Sequence, residues 1–386
     1  MTKSYNSRIK YIDSLKGIAC MFIFIGHYYY GLFASASKAI NVYPWIVKEH
    51  SFFSLLYNGT FCVALFCFIS GYLSKECKSI KDIVFNSVKR YIRLATPMVA
   101  LGLLIYAVRN TFTFDSGDTI SEMLGSTWVT SVGRGRNSLL AVIFNSFFGV
   151  LIFGKAGFSS QLWMLRPLLI GQVSFFIFSY SDYVKNKFVR NIMRIAVLLF
   201  CLGWEYPCLA TFLGGLFHKY QKNFESLQLP DMLFAIGGGG CALLLGHYRV
   251  YSLVPNVVVG TINIAVAPKV QVLLVLFVMC AIFKIKIVQK LLSAEILQKL
   301  GSLSLPIYLL HVLFIGSLSC WIIERTYVRL GYPSAYFLAE IITVVSVITV
   351  SKVWNSTVDV WCNKLVNSIC TVIGRMVYGK NALGDR

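Results

Sequence analysis

Charge is what this sequence has least of. Only 13% of its 386 residues are Asp, Glu, Lys or Arg, where a water-soluble domain carries about 25%. Acids are scarcest: 16 Asp and Glu stand against 36 Lys and Arg, a net charge of +20. Apolar residues fill the space, at 57% of the chain with 15% aromatic, and the mean hydropathy is +0.69. A water-soluble globule is thereby excluded, and an integral membrane protein is expected, its partner the lipid bilayer. In a soluble protein the basic excess would point to nucleic acid. Here it is assigned to cytoplasmic loops facing anionic lipid, and no nucleic-acid partner is expected.

Other absences narrow the chemistry. The 11 cysteines include no C-x-x-C pair, and most, such as Cys20, Cys62, Cys67 and Cys201, lie in apolar runs. A thiol there behaves as a small hydrophobe, so neither a disulfide framework nor a metal site follows. There is no paired-carboxylate motif, Walker loop, Rossmann fingerprint or nucleophile elbow. The glycines Gly237 to Gly240 lack a Gly-Lys-Ser/Thr ending and sit in an apolar run, which suits close helix packing. The basic start runs into an apolar segment without a small-residue cleavage site, and is expected to be a retained first span.

What is present are apolar runs separated by basic stretches. They predict an all-α bundle of about ten transmembrane helices, with both termini cytoplasmic. The spans are expected near residues 17–33, 52–73, 94–108 and 162–180. Two more, within 195–218, should meet at a tight turn over Glu205, Tyr206 and Pro207, with a single kinked helix, which would invert everything downstream, left open. The rest are expected near 232–245, 262–283 (interrupted by Pro268 and Lys269), 305–323 and 336–353. Residues 139–153 are short for a span and read as re-entrant or interfacial. A polar outer loop is expected over 109–137, and shorter ones around Pro44–Trp45 and around His247, Arg249 and Pro255. The apolar residues Ile80, Ile83, Val84, Val88 and Tyr91 recur at three- and four-residue steps, which predicts an amphipathic helix on the cytoplasmic surface. The whole chain, 1–386, is read as one membrane domain. About 10–16 form a short basic cytoplasmic N-terminus and about 354–386 a cytoplasmic tail.

Four stretches could carry chemistry. In the first span, Lys16 and His27 are about three helical turns apart and share a face, some 16 Å along the axis. If Lys16 marks a membrane surface, His27 lies near the bilayer midplane. A neutral histidine there can take a proton from a hydroxyl, or can merely bind a neighbouring helix. Asp13 lies too far along the axis to touch His27, and should pair with a nearby cation or serve the cytoplasmic entrance. Arg90 and Arg93 neighbour each other on a helix and can fork phosphate oxygens or lipid headgroups. Ser70-Gly71-Tyr72 closes the second span, where glycine permits close backbone approach or simply ends a helix. Tyr308 and His311 share a face of a late span. His311 is a second intramembrane histidine, for which a structural hydrogen bond and catalysis are both open.

In order, these stretches resemble the acyltransferase 3 family of integral membrane acyltransferases. The family's opening aspartate-x-leucine-arginine-glycine, followed by an apolar run to a histidine, is matched by Asp13 to Gly17 and by Ile25-Gly26-His27, with Lys16 in place of the arginine. Phe68-Ile69-Ser70-Gly71-Tyr72, Arg90 to Leu94, Leu162-Trp163-Met164-Leu165 and Ser304 to His311 match four further motifs. The late glutamate-x-proline-phenylalanine element is absent, and Asp359 is only a loose counterpart. The resemblance implies transfer of an acyl group, commonly acetyl, from cytoplasmic acyl-coenzyme A as co-substrate to a hydroxyl of a surface polysaccharide or lipid-linked sugar. No bound cofactor is implied. His27 would be the catalytic base or acyl-handling residue, with Arg90 and Arg93, and Lys16 and Asp13 beneath His27, at the donor. Ser70, Gly71, Tyr72, Trp163, Tyr308 and His311 would shape the core. The location implied is the bacterial cytoplasmic membrane. A transporter or flippase of a lipid-linked glycan is the rival reading, since buried histidines and basic inner loops would suit it too.

Overall fold

The computed structural model describes residues 9–34, 58–111, 115–125, 128–130, 138–155, 158–226, 230–246, 257–259, 262–264 and 266–379. The expected loops at Pro44–Trp45 and at His247, Arg249 and Pro255 lie outside the described residues.

Helix α1 (Lys10–Tyr28) runs on into a π-helical turn, Tyr29–Ala34. Its first turns are buried at Ile12, Asp13, Ser14 and Leu15. Residues 10–16, expected as a cytoplasmic N-terminal stretch, therefore belong to the packed helix, because Ile12 and Leu15 continue its apolar face. Helix α2 (Gly59–Tyr72) is capped by Asn58, whose side chain accepts from the Phe61 N–H at 3.1 Å. Helix α3 (Ile80–Thr111) is one continuous rod of 32 residues. A surface helix and a separate span opened by Pro97 were expected; instead Pro97 sits inside the rod. No helix breaker lies between Tyr91 and Pro97, and a span helix tolerates one proline where its neighbours enclose it.

The stretch expected as a polar outer loop contains helix α4 (Asp115–Leu124), which buries Ile120 and Leu124 and ties to the later helices through a Ser116 hydroxyl that donates to Glu324. Helix α5 (Leu139–Phe144) and the π-turn Asn145–Gly149 form a short apolar element below spanning length, as expected. A 3-10 turn, Ser160–Met164, leads into α6 (Leu165–Tyr180). Helices α7 (Lys187–Gly203) and α8 (Tyr206–Glu225) break at Trp204–Glu205, the expected turn. The basic segment before it was expected as a connection but forms the first half of α7, started by Asn186, whose side chain caps the N–H groups of Phe188 and Val189.

Helix α9 (Asp231–Gly246) holds the four glycines, and Gly238 faces Ala281 so closely that a Cβ would collide with it. A hairpin of β1 (Val257–Val259) and β2 (Ile262–Ile264) precedes α10 (Val266–Lys284). Pro268 lies in the first turn of α10, where a missing N–H costs nothing, and so does not interrupt it. Then follow α11 (Lys286–Leu292), α12 (Glu295–Ser302) and α13 (Ser304–Phe314). A π-turn, Ile315–Ser319, joins α13 to α14 (Cys320–Leu330). Last come α15 (Tyr332–Ser356) and α16 (Val358–Tyr378). The expected tail is therefore mostly a helix. Its Val366 and Cys370 pack on Ile92 of α3, and the Tyr378 hydroxyl donates to Asp82 at 2.6 Å.

Among the described residues, five helical runs are long and apolar enough to cross a membrane: 80–111, 160–183, 267–284, 304–330 and 332–378. Ten were expected. Among the described residues the other expected spans coincide with helices that are shorter, such as α2, whose expected start over 52–57 lies outside the described residues, or that carry charge, such as α8 with Lys219 and Lys222. Helix α1 is enclosed by α2, α12 and α13. Backbones approach closely at α2 against α8, where a Cβ on Gly71 would strike the Thr211 carbonyl and one on Gly214 the Phe68 carbonyl.

Candidate functional site

The two histidines that the sequence places in separate spans meet. His27 Nδ1 lies 2.8 Å from His311 Nε2, with ring planes 9° apart. His311 Nδ1 lies 3.1 Å from the Ile307 carbonyl, one turn back on its own helix. A carbonyl only accepts, so His311 Nδ1 carries the hydrogen. In the neutral ring Nε2 then accepts, and His27 Nδ1 donates to it. His27 Nε2 is left with its lone pair.

His27 lines a cleft of about 310 Å³ together with Tyr30, Asn58, Trp163, Tyr206 and Tyr308. The Trp128 ring lies 5.4 Å from the His27 ring, and Phe24 lies 5.7 Å from that of His311, which is fully buried. The 3-10 turn is fastened to α13 from both sides: the Tyr308 hydroxyl donates to the Gln161 carbonyl, and Gln161 Nε2 donates to the Leu309 carbonyl at 2.9 Å. That pairing aims Trp163 into the cleft, where it lies against Tyr206 at 6.0 Å.

A second cleft, of about 470 Å³, opens at the Lys16 end of α1. Lys16, Lys75, Lys89, Arg90 and Arg93 line it, with Ser70 and Gln172 inside and Asn363 of α16 at its wall. Lys16 is paired with Asp13 at 2.6 Å. Among the described residues Lys75, Lys89, Arg90 and Arg93 form no ion pair. The cleft is thus a concentration of cation that the fold does not neutralise, which suits a polyanion. Arg90 Nη2 donates to Ser70 Oγ at 2.6 Å. Gln172 Nε2 donates to the Ser70 carbonyl at 3.0 Å and to Ser74 Oγ at 3.1 Å. Tyr308 lines both clefts, and is where they come together.

The residues singled out from sequence fall into two groups. His27, Tyr308 and Trp163 line one cleft, with His311 buried behind His27, and Lys16, Ser70, Arg90 and Arg93 line the other. Asp13 stands behind Lys16. Gly71 and Tyr72 line neither cleft; Gly71 admits α8, and the Tyr72 hydroxyl donates to Gln221 Oε1 at 2.7 Å. Asp359 accepts from the Trp354 indole at 3.0 Å, at the junction of α15 and α16. Sequence reasoning missed Trp128, Gln161, Gln172 and Asn363. Gln172 carried a signal, an amide inside an apolar run; Trp128 carried none.

A sequence model of a family described as an acyltransferase domain matches residues 9–352. No curated protein matches the chain, and no solved structure does.

Proposed function

The chain belongs to the acyltransferase 3 family, and from that premise we propose that this multi-pass membrane acyltransferase moves an acyl group, acetyl by preference, from acyl-coenzyme A to a hydroxyl of a surface polysaccharide or lipid-linked glycan. The donor's phosphates sit among Lys75, Lys89, Arg90 and Arg93, where guanidinium forks match phosphate oxygens. Its thioester reaches past Tyr308 toward His27. The acceptor hydroxyl enters the other cleft.

His27 Nε2 takes the hydroxyl proton as the oxygen attacks the thioester carbonyl. The carbon–sulfur bond then breaks, and the thiolate leaves with the proton returned by His27. His311 acts through His27: it fixes the tautomer and accepts from the Nδ1–H whose charge rises when Nε2 is protonated. The observation that carries this reading is the chain of hydrogen bonds from the Ile307 carbonyl through His311 to His27. The bacterial cytoplasmic membrane is the proposed location, with both termini and the basic cleft on the inner side. Membership of an acyltransferase family leaves the transporter reading without support.

The test is thioester cleavage by the purified chain, with mass spectrometry of surface glycans from cells with and without it. A His27→Ala chain, expressed at the normal level, is expected to lose both activities. Full glycan acylation by that variant would overturn the proposal.

A further inference from the structure

The basic cleft contains two polar atoms that the fold leaves over. Arg90 Nε and the Gln172 carbonyl oxygen Oε1 are buried, and among the described residues neither has a hydrogen-bond partner. Gln172 is 2% exposed. Both side chains line the cleft, and both are held from the same side by Ser70: Arg90 Nη2 donates to its Oγ, and Gln172 Nε2 donates to its carbonyl. A third anchor, Ser74 Oγ, accepts from Gln172 and fixes which end of the amide points away. The Gln172 amide orientation follows from this network, since its nitrogen faces acceptors only.

Buried polar groups without partners cost about 1–3 kcal/mol each. Here one leftover is a donor and the other an acceptor, on two side chains immobilised around one serine. A phosphate would satisfy Arg90 Nε but would meet a bare carbonyl oxygen at Gln172. An alkyl chain would satisfy neither. A trans secondary amide offers a carbonyl in one direction and an N–H in the other, and completes both.

We propose that Arg90 Nε and Gln172 Oε1 together bind a secondary amide of the donor's pantetheine arm, so that this pair, and not the phosphate contacts alone, sets how far the thioester reaches toward His27. This rests on the reading of the basic cleft as the acyl-coenzyme A site. Pantetheine carries two secondary amides between the phosphates and the sulfur, so its arm has the required group along its length. The pair is then a ruler: phosphates at the rim, one amide at Arg90 and Gln172, and the thioester beyond.

The experiment uses the full chain in lipid nanodiscs supplied with host-cell membranes as the source of acceptor. The donors are acetyl-coenzyme A, S-acetylpantetheine and two S-acetylpantetheine analogues, each N-methylated at one amide. With the wild type, one of the methylated donors is expected to lose about tenfold in kcat/KM, the worth of one ordinary hydrogen bond. A Gln172→Met chain is expected to lose about the same factor on S-acetylpantetheine and to show no further loss on that methylated donor, because both changes remove one contact. Equal use of all three pantetheine donors by the wild type overturns the inference, and needs no variant to fold. Losses that multiply in Gln172→Met overturn it as well. A wild type that cleaves acetyl-coenzyme A but ignores methylation defeats only this inference, whereas one that cleaves no thioester defeats the donor-site reading and this inference together.

Discussion

His27 has two ring nitrogens with different surroundings, and the difference comes from a residue 284 positions away in sequence. Replacing His311 by Gln leaves an amide oxygen that can still accept from His27 Nδ1–H. Replacing it by Leu leaves that donor buried with nothing to meet. His311→Leu is therefore expected to lower thioester turnover about 10²-fold, and His311→Gln to recover much of that loss, with both proteins present at wild-type levels on immunoblots. His27→Ala removes the proposed base, and is expected to cost about 10³-fold by the same assay. His27 could be singled out from sequence, because a histidine in an uncharged run stands out. Its partner could be found as a residue but not as a partner, since no periodicity relates α1 to α13. Trp128 sits in a stretch whose polarity suggested a plain loop, and only the folded chain brings its ring to His27.

Helix contacts decide which of the glycines matter. Gly71 and Gly214 stand where α2 and α8 touch backbone to backbone, so a single methyl there has nowhere to go. Gly71→Ala or Gly214→Ala is expected to destabilise the bundle by about 1–3 kcal/mol, read as a lowered melting temperature in detergent. Gly237→Ala, on α9 with open space at its Cβ, is expected to leave it unchanged or raised by up to about 1 kcal/mol of helix propensity. From sequence the four glycines of α9 drew the eye and Gly71 was one member of a short motif. The structure puts Gly71 and, of the α9 four, only Gly238 at close contacts, and leaves Gly237, Gly239 and Gly240 with open space. Helix α3 shows the opposite limit of pattern reading: its amphipathic start and its apolar end have different composition but one backbone, since a change of environment along a helix does not break it. The same holds for the tail. The mixed residues of 358–378 suggested a solvated end, yet as α16 they cover α3 and bring Asn363 to the basic cleft. A chain ending before Val358 is expected to bind acyl-coenzyme A several-fold more weakly in equilibrium dialysis.

Across the whole molecule, the membrane class followed from composition, and the family from five short motifs whose order survives folding. The number of crossings did not follow as directly, because helices enclosed by other helices need not be long or uncharged. The net charge of +20 is gathered in part around one cleft, so donor capture should weaken with salt. Raising sodium chloride from about 0.05 M to about 0.5 M, which shortens the screening length severalfold, is expected to raise the KM for acetyl-coenzyme A. It should leave that for uncharged S-acetyl-N-acetylcysteamine unchanged, and a parallel rise for both would remove the electrostatic account. Tyr308 finally gives the molecule a geometry with a cost attached. Tyr308 lines both clefts, so its side chain is part of the wall they share. Its hydroxyl, moored to the Gln161 backbone, keeps that ring from swinging. A ring held in that shared wall is placed to keep the contents of the two clefts apart.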